Sequence, residues 1–168
     1  MKRTFGLLCA ALALAGCETA TPLPLESGGP SPPSPPPPAT PARIDGVAKF
    51  HTPEGRTVSC TGLSVALVAA TGQMRDRMRT LYGSDEHAVQ PVSVVRSRSV
   101  GMPPADPPLA TAPCDVRGVF TFASVNPGDY FLVARLKNPP PSRFHDDLGV
   151  VQRIGVKRGE SLQVRLAP

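Results

Sequence analysis

Four cysteines and three histidines are the side chains of this 168-residue chain that are best suited to chemistry. The histidines, His51, His87 and His145, show no His-x-His or His-Glu-x-x-His spacing, the patterns that place two ligands on one metal ion. No serine lies in the Gly-x-Ser-x-Gly pattern of a nucleophile elbow, and no histidine stands close in sequence to Cys60 or Cys114 to activate a thiol. We therefore predict a protein that is not an enzyme and holds no metal or cofactor.

Cys17 differs from the other cysteines because it ends an N-terminal apolar run. A basic start, Met1-Lys2-Arg3, precedes an apolar segment from Phe5 to Gly16, which is typical of a secretory signal peptide and too short to span a bilayer. The segment ends in Leu14-Ala15-Gly16-Cys17, which resembles the lipobox of bacterial lipoproteins. The resemblance implies that residues 1–16 are removed and that the Cys17 thiol carries a diacylglyceryl group. An ordinary signal peptide with a chance cysteine is the alternative.

The residue after Cys17 bears on where such a lipoprotein resides. Glu18 takes the place of the aspartate that the resemblance links to retention in the inner membrane. Two or three acyl chains hold a protein to a membrane far more firmly than one chain does. We therefore expect a lipid anchor at the periplasmic face of the outer membrane of a Gram-negative cell.

Residues 17–42 link the expected anchor to the rest of the chain. Ten of the 22 prolines fall between Pro22 and Pro41, and Ser31–Pro38 reads Ser-Pro-Pro-Ser-Pro-Pro-Pro-Pro. This composition forms no packed core and favours polyproline II at about 3.1 Å per residue, or roughly 75 Å over 25 residues. We predict a disordered proline-rich tether, with a ligand for a proline-recognising domain as the alternative.

Residues 43–168 form the predicted globular part, which has the size of one domain. Short runs rich in Val, Ile, Leu and Phe recur there between turn residues. The seven candidate strands are Ile44–Phe50, Leu63–Ala70, Val92–Val100, Val116–Val125, Tyr130–Leu136, Val150–Val156 and Leu162–Leu166. This density of short strands and turns predicts an all-β fold, a single antiparallel β-sandwich of about seven strands.

Residues 73–82 have helical rather than strand periodicity. Three large apolar side chains recur there at offsets of four and three: Met74, Met78 and Leu81. We predict one short helical insertion that packs this stripe against the core and ends at Gly83. Gly101–Pro113 contains five prolines and is predicted to be a loop.

The charge balance argues against a nucleic-acid partner. The formal net charge is +5, and removal of Lys2 and Arg3 with the signal peptide leaves +3, which is a mild surface charge. Four arginines on segments outside the predicted sandwich are candidates for a partner surface: Arg75, Arg77, Arg79 and Arg143. The alternative is that these charges only keep the surface soluble.

The most specific motif lies in the second half of the domain. Asp115-Val116-Arg117-Gly118-Val119-Phe120-Thr121-Phe122 is followed by Asn126-Pro127-Gly128-Asp129-Tyr130. The two segments resemble the hallmark of the carboxypeptidase regulatory-like domain, a transthyretin-like or prealbumin-like β-sandwich. In that family an Asp-x-x-Gly-x-Phe-x-Phe strand precedes Pro-Gly-x-Tyr. The match falls on Asp115, Gly118, Phe120, Phe122, Pro127, Gly128 and Tyr130.

The resemblance implies a structural role for the motif residues. Gly118 permits a positive φ at the entry to a strand, and Phe120 and Phe122 face one core because they are two residues apart. Pro127-Gly128 suits a type II turn between adjacent strands, and Tyr130 sends its hydroxyl to a backbone carbonyl. More weakly, residues 156–166 look like the closing hairpin of the family, whereas residues 71–113 exceed its usual connection.

Cys60 and Cys114 remain once Cys9 leaves with the signal peptide and Cys17 takes lipid. An even pair in an oxidising periplasm predicts a disulfide, with two free buried thiols as the alternative. By the loop-entropy model, a bridge across 54 residues stabilises the fold by roughly 4 kcal/mol.

Three functions remain as hypotheses. The first is a non-enzymatic envelope lipoprotein that presents the sandwich on its tether as a binding or scaffolding module for an envelope partner. The second is a module that binds peptidoglycan or another polysaccharide, although the chain has no Trp to serve as a platform for sugars. The third is a small transthyretin-like hydrolase, which is disfavoured because the chain ends in Val164-Arg165-Leu166-Ala167-Pro168 rather than Tyr-Arg-Gly-Ser.

Intact mass measured on protein extracted from cell membranes tests the anchor and the disulfide together. We expect a chain that begins at Cys17 and carries two or three acyl chains, with Cys60 and Cys114 unreactive to alkylation until reduced. An unlipidated mass would contradict the predicted anchor, and two freely alkylated thiols would contradict the predicted disulfide.

Overall fold

A computed structural model describes residues 40–139 and 146–168. Within these ranges the chain forms ten strands and two helices. In chain order they are β1 (Ala42–Val47), β2 (Lys49–His51), β3 (Thr57–Ser59), β4 (Ser64–Ala69), α1 (Gly72–Tyr82), β5 (His87–Pro91), α2 (Val92–Ser99), β6 (Ala110–Pro113), β7 (Val119–Val125), β8 (Gly128–Leu136), β9 (Leu148–Val156) and β10 (Ser161–Arg165). Neither helix in these ranges has the length and apolarity to cross a bilayer.

Two sheets pack face to face, so the predicted all-β sandwich is confirmed. The smaller sheet has the order β10-β1-β7 and the larger has the order β5-β9-β8-β4-β6, while β2 and β3 form a separate ribbon. The strand pairs are antiparallel except for β1 and β10, which run parallel with Ile44 opposite Leu162. This parallel pair is a departure from the predicted antiparallel sandwich.

The main core lies between the two sheets. Strand β8 shows how the sequence pattern builds it, because successive side chains of a strand point to opposite faces. Leu132 and Leu136 point inward and are fully buried, together with Ile44 and Phe120 from the smaller sheet. Phe131 points to the other face and is equally buried. The larger sheet is therefore covered on both faces.

Helices α1 and α2 cover the outer face of the larger sheet. Helix α1 begins at the N-cap Thr71, whose hydroxyl accepts a hydrogen bond from the Met74 N–H, and ends at Gly83 with a φ of 85°. Its apolar stripe packs against Phe131 and Val151 of the larger sheet. The predicted helix, its end and its packing are confirmed.

The strand predicted over Val92–Val100 is wrong, because Val92–Ser99 is the helix α2. Valine and serine alternate in this segment, which is typical of a strand. A helix forms instead because groups distant in sequence accept hydrogen bonds from its first backbone N–H groups. The Ser93 N–H donates to the Asp146 carboxylate at 2.6 Å, and the Val92 N–H donates to the Asp147 carbonyl at 2.8 Å. These partners lie more than fifty residues away in sequence.

Other differences come from pairings that local patterns do not reveal. Three short strands, β3, β5 and β6, lie outside the seven predicted segments, and β6 occupies the end of the predicted loop Gly101–Pro113. It forms because it can pair with β4 at the edge of the larger sheet, where Ala112 lies opposite Val65. The closing hairpin expected within residues 156–166 is wrong, since β9 and β10 belong to different sheets.

Gly46 is required where β1 passes under Phe120. A Cβ at Gly46 would lie 2.6 Å from Cε1 of that ring, which is only 1% exposed and cannot swing into solvent. We expect Gly46→Ala to lower the free energy of unfolding by about 1–3 kcal/mol, as overpacking does. Urea denaturation of the two chains measures the difference.

Gly72→Ala is the matched control for this substitution. No atom lies within 4 Å of a Cβ built at Gly72, so the change in stability should stay within about 1 kcal/mol. Equal stability of Gly46→Ala and the natural chain would contradict the close approach of the Phe120 ring.

Candidate functional site

A proline-rich segment, Met102–Pro108, lies beside helix α1, and we call it the proline strap. Both of its ends are tied down by backbone hydrogen bonds: the Met102 N–H donates to the Ser99 carbonyl at 3.1 Å, and the Leu109 N–H donates to the Leu67 carbonyl at 2.8 Å. Between these ends, Nη1 of Arg77 donates to the Pro103 carbonyl at 2.7 Å. The Arg77 and Leu109 bonds therefore hold the strap against the fold, and the Met102 bond closes the turn that leads into it.

A groove lies between α1, the proline strap and the outer face of the larger sheet. One cavity in it has a volume of about 250 Å³ and a predominantly apolar lining. The floor and walls come from side chains of β4, β8 and α1, principally Ala66, Val68, Val133, Met74, Met78 and Leu81. A second cavity of about 200 Å³ shares Met74, Arg77, Ala105 and Asp106 with the first, and we call the two together the strap groove.

The second cavity gives the strap groove its polar side. Gln73, Asp76 and Thr80 of α1 line it, opposite Pro103 and Pro104 of the strap. The strap groove thus combines an apolar floor with hydrogen-bonding groups along one rim. This combination is typical of a site for a small molecule or for part of a polymer.

Arg77 forms no ion pair with a described carboxylate, although Asp76 and Asp106 line the same cavities. Within residues 40–139 and 146–168 its guanidinium makes one hydrogen bond, to the strap carbonyl, and no ion pair. A guanidinium has five N–H donors, so most of its capacity remains. The neighbouring Asp76 carboxylate accepts a hydrogen bond from Arg79 at 2.9 Å rather than from Arg77.

The structure separates the arginines predicted to form a partner surface. Arg77 lines the strap groove, whereas Arg79 is bound by the Asp85 carboxylate at 2.8 and 2.9 Å as well as by Asp76. The Arg79 guanidinium keeps the pKa of the Asp85 carboxyl below its ordinary value. Arg75 is half-buried on α1 and does not line the groove. Arg143 and the predicted lipidation residue Cys17 lie outside the described residues.

In a second polar cluster, the side chains hydrogen-bond to one another. On the smaller sheet, the Asp45 carboxylate accepts hydrogen bonds from Arg43 at 2.7 and 2.8 Å and from Thr121 at 2.6 Å. These bonds, above all those from Arg43, lower the pKa of Asp45. Because these groups already bond to one another, the cluster is a weaker candidate for a ligand site than the strap groove.

Asp115 organises the turn that leads into β7. Its Oδ1 accepts hydrogen bonds from the backbone N–H groups of Arg117 and Val119, each at 2.8 Å. These bonds, chiefly the one from Val119, hold the pKa of the Asp115 carboxyl below its ordinary value. The turn ends at Gly118, which has a φ of 78°, so the expected positive φ is confirmed.

Tyr130 closes the link between β7 and β8. Its ring is buried, and its hydroxyl donates to the Asn126 carbonyl at 2.8 Å, as expected. The predicted type II turn between adjacent strands is wrong, because β7 and β8 lie in different sheets and Pro127-Gly128 carries the chain from one to the other. Gly128 has a φ of 157°, far from the value near +80° that such a turn requires.

Cys60 and Cys114 form the predicted disulfide. The bridge joins the residue after β3 to the residue after β6, and Cys60 also contacts the Gly118 carbonyl. It therefore ties the end of the connection that includes α1, α2 and the strap to the sandwich core.

The two described histidines each contact a protein oxygen. His51 contacts the Thr57 hydroxyl, His87 contacts the Ala167 carbonyl, and His145 lies outside the described residues. Within the described ranges no three His, Cys, Asp or Glu side chains come together as metal ligands would.

Sequence reasoning found Arg77 but missed the groove around it. The signal was present in Val68 and Val133, which are apolar on a face that a two-layer sandwich would leave to solvent. The sequence predicts only a loop over Gly101–Pro113, although Pro103, Pro104 and Pro108 line the groove.

No protein-family model matches the chain, and no curated protein matches it. Among solved structures, the chain is similar to one from Pseudomonas aeruginosa that is named a "putative carbohydrate binding protein", with 20% sequence identity and a TM-score of 0.60. The match covers 77% of this chain and 90% of the other. The likeness shows the fold. It agrees with the sandwich predicted from the short strands.

Replacing Asp115 with Asn tests whether its charge stabilises the turn. Because the folded pKa is lowered, the carboxylate stabilises the fold above its unfolded pKa, and this contribution is lost as the pH falls through the folded pKa. We expect Asp115→Asn to be less stable than the natural chain at pH 7 and the difference to shrink below about pH 4. Urea denaturation at a series of pH values measures this.

Asp106→Asn is the control for this substitution, since Asp106 is exposed and makes no hydrogen bond to another described residue. A stability difference for Asp115→Asn that does not change with pH would contradict a role for the carboxylate charge.

Proposed function

We propose that this protein is a binding module of the bacterial envelope that holds a glycan in the strap groove. The observation that carries the proposal is the groove itself, in which Arg77, without an ion pair to a described residue, lies beside an apolar floor with polar side chains along the rim. A strap held by the Arg77 and Leu109 hydrogen bonds keeps the groove preformed, which reduces the entropy lost on binding.

The chemistry of the lining supports a sugar ligand. A sugar ring has hydroxyls at its edge and C–H groups on its faces, so it needs polar groups beside an apolar surface. Gln73 and Thr80 supply hydrogen-bonding groups, and the rings of Pro103 and Pro104 supply exposed apolar surface. The likeness to a protein named as a candidate for carbohydrate binding adds support.

This glycan site would work without an exposed aromatic platform. The aromatic side chains in the described ranges are buried except for Phe50, which is half-buried and does not line the groove. Tyr82 lines the floor with its ring, and burial raises the pKa of its hydroxyl, so it stays neutral. We therefore infer that each sugar ring binds with modest affinity, because Met and Pro side chains contact it where an aromatic ring would otherwise stack.

The wider setting of the module is part of the proposal. We propose that Cys17 is lipidated, that residues 17–42 act as a tether, and that the protein resides at the periplasmic face of the outer membrane. A module on a long tether can reach cell-wall polymer while its anchor stays in the membrane. The resemblance to carboxypeptidase regulatory-like domains is supported by the contacts of Asp115 and Tyr130, which suit the motif.

A protein partner is the second candidate. Val100 and Leu109 are large apolar residues that are 81% and 63% exposed, and they flank the proline strap in sequence. Exposed apolar side chains beside a groove favour a protein interface. In that case the strap and these two residues would form one contact surface.

Cosedimentation of the full chain with purified sacculi and with chitin tests the glycan proposal. We expect the natural chain to sediment with at least one of these polymers. Ala105→Leu, which places a larger side chain in both cavities from an exposed position, should weaken retention. Ala123→Leu is the control because Ala123 is exposed on β7, away from the groove.

A natural chain that remains in the supernatant with both polymers would overturn the glycan proposal. Equal retention of Ala105→Leu and the natural chain would show that the strap groove is not the binding site.

A further inference from the structure

We propose that the strap groove is selective for a sugar that carries both a carboxylate and an N-acetyl group, as the acidic sugar of a bacterial cell wall does. This inference rests on the proposed glycan function and names the ligand class. It derives from three features that lie together in the groove: the free cation, an exposed carboxylate and an apolar floor.

Arg77 supplies the site for the ligand carboxylate. Arg77 lines both cavities, and one guanidinium N–H donates to the Pro103 carbonyl at 2.7 Å. The remaining donors suit a carboxylate, which can accept two parallel hydrogen bonds from a guanidinium. No described acidic side chain forms an ion pair with Arg77, so the ligand would not have to displace one.

The Asp106 carboxylate disfavours a ligand that brings several negative charges into the groove. It can also accept hydrogen bonds from N–H and O–H groups of a ligand. It lines both cavities but makes no ion pair with Arg77 or any other described residue. A carboxylate accepts hydrogen bonds from amide N–H and hydroxyl groups, both of which an N-acetyl sugar carries. A ligand with a carboxylate on every ring would bring further negative charge close to Asp106 and be disfavoured.

The apolar floor fits a methyl group better than a hydroxyl. Val68, Val133 and Met78 line the apolar cavity and offer no side-chain hydrogen-bonding group. A hydroxyl facing these side chains would find no hydrogen-bond partner on them, whereas the methyl of an acetyl group would be stabilised by leaving water.

A fatty carboxylate shares the charge and the apolar part but fits the groove less well. The cavity on the other side of Arg77 is lined by Gln73, Asp76 and Thr80, which an alkyl chain cannot satisfy. The observations therefore favour a sugar over a lipid.

Calorimetric titration of the full chain with three disaccharides tests the inference. The first is N-acetylglucosaminyl-N-acetylmuramic acid, the second is the neutral N,N′-diacetylchitobiose and the third is digalacturonate, which has carboxylates but no acetyl group. We expect the first to bind at least about tenfold more tightly than the other two, a difference of about 1.4 kcal/mol.

Two arginine variants test whether Arg77 is responsible for the preference for the acidic sugar. In Arg77→Gln the affinity for the acidic acetylated disaccharide should fall to about that for diacetylchitobiose in the same variant, so the ratio of the two affinities drops to about one even if loss of the strap hydrogen bond weakens binding of both sugars. Arg75→Gln removes a charge from the same helix outside the groove and should leave all affinities unchanged.

Equal affinity for the acidic and neutral acetylated sugars would overturn this inference and leave the glycan function standing. Binding of no sugar would overturn both. If decanoate binds and the three disaccharides do not, the groove is a lipid site and both proposals are wrong.

Discussion

The burial of strand β8 on both faces is the constraint on which the rest of the fold depends. Leu132 fills the core between the sheets, and Phe131, the next residue back, has no exposure on the opposite face. A sandwich of two sheets covers only one of these side chains. The chain therefore needs a third layer, and the long connection between β4 and β6 provides it as α1, α2 and the proline strap.

The same constraint explains why a groove exists where it does. Helix α1 presents a narrow apolar stripe of Met74, Met78 and Leu81, and beyond that stripe the outer side chains of β4 remain only partly covered. The strap spans this gap, but its prolines are fixed in shape and cannot pack as a helix would. Arg77 donates a hydrogen bond to the strap and lines both cavities. The same side chain therefore holds one wall of the groove and places a positive charge in it.

Features encoded by residues close in sequence were predictable, and features that depend on distant partners were not. The periodicity of Met74, Met78 and Leu81 predicted α1, and the spacing of Phe120 and Phe122 predicted a shared core face. The helix α2 depends on caps from Asp146 and Asp147, so its valines were misread as a strand. The groove was missed for the same reason, because its walls come from β4, β8, α1 and the strap.

Amide hydrogen exchange of the full chain, with and without N-acetylglucosaminyl-N-acetylmuramic acid, tests the central claim most directly because it locates the ligand on the molecule. The account predicts slower exchange in α1 and the proline strap, with the outer face of the smaller sheet unchanged. Slower exchange confined to the smaller sheet, or no change at a saturating ligand concentration, would contradict it.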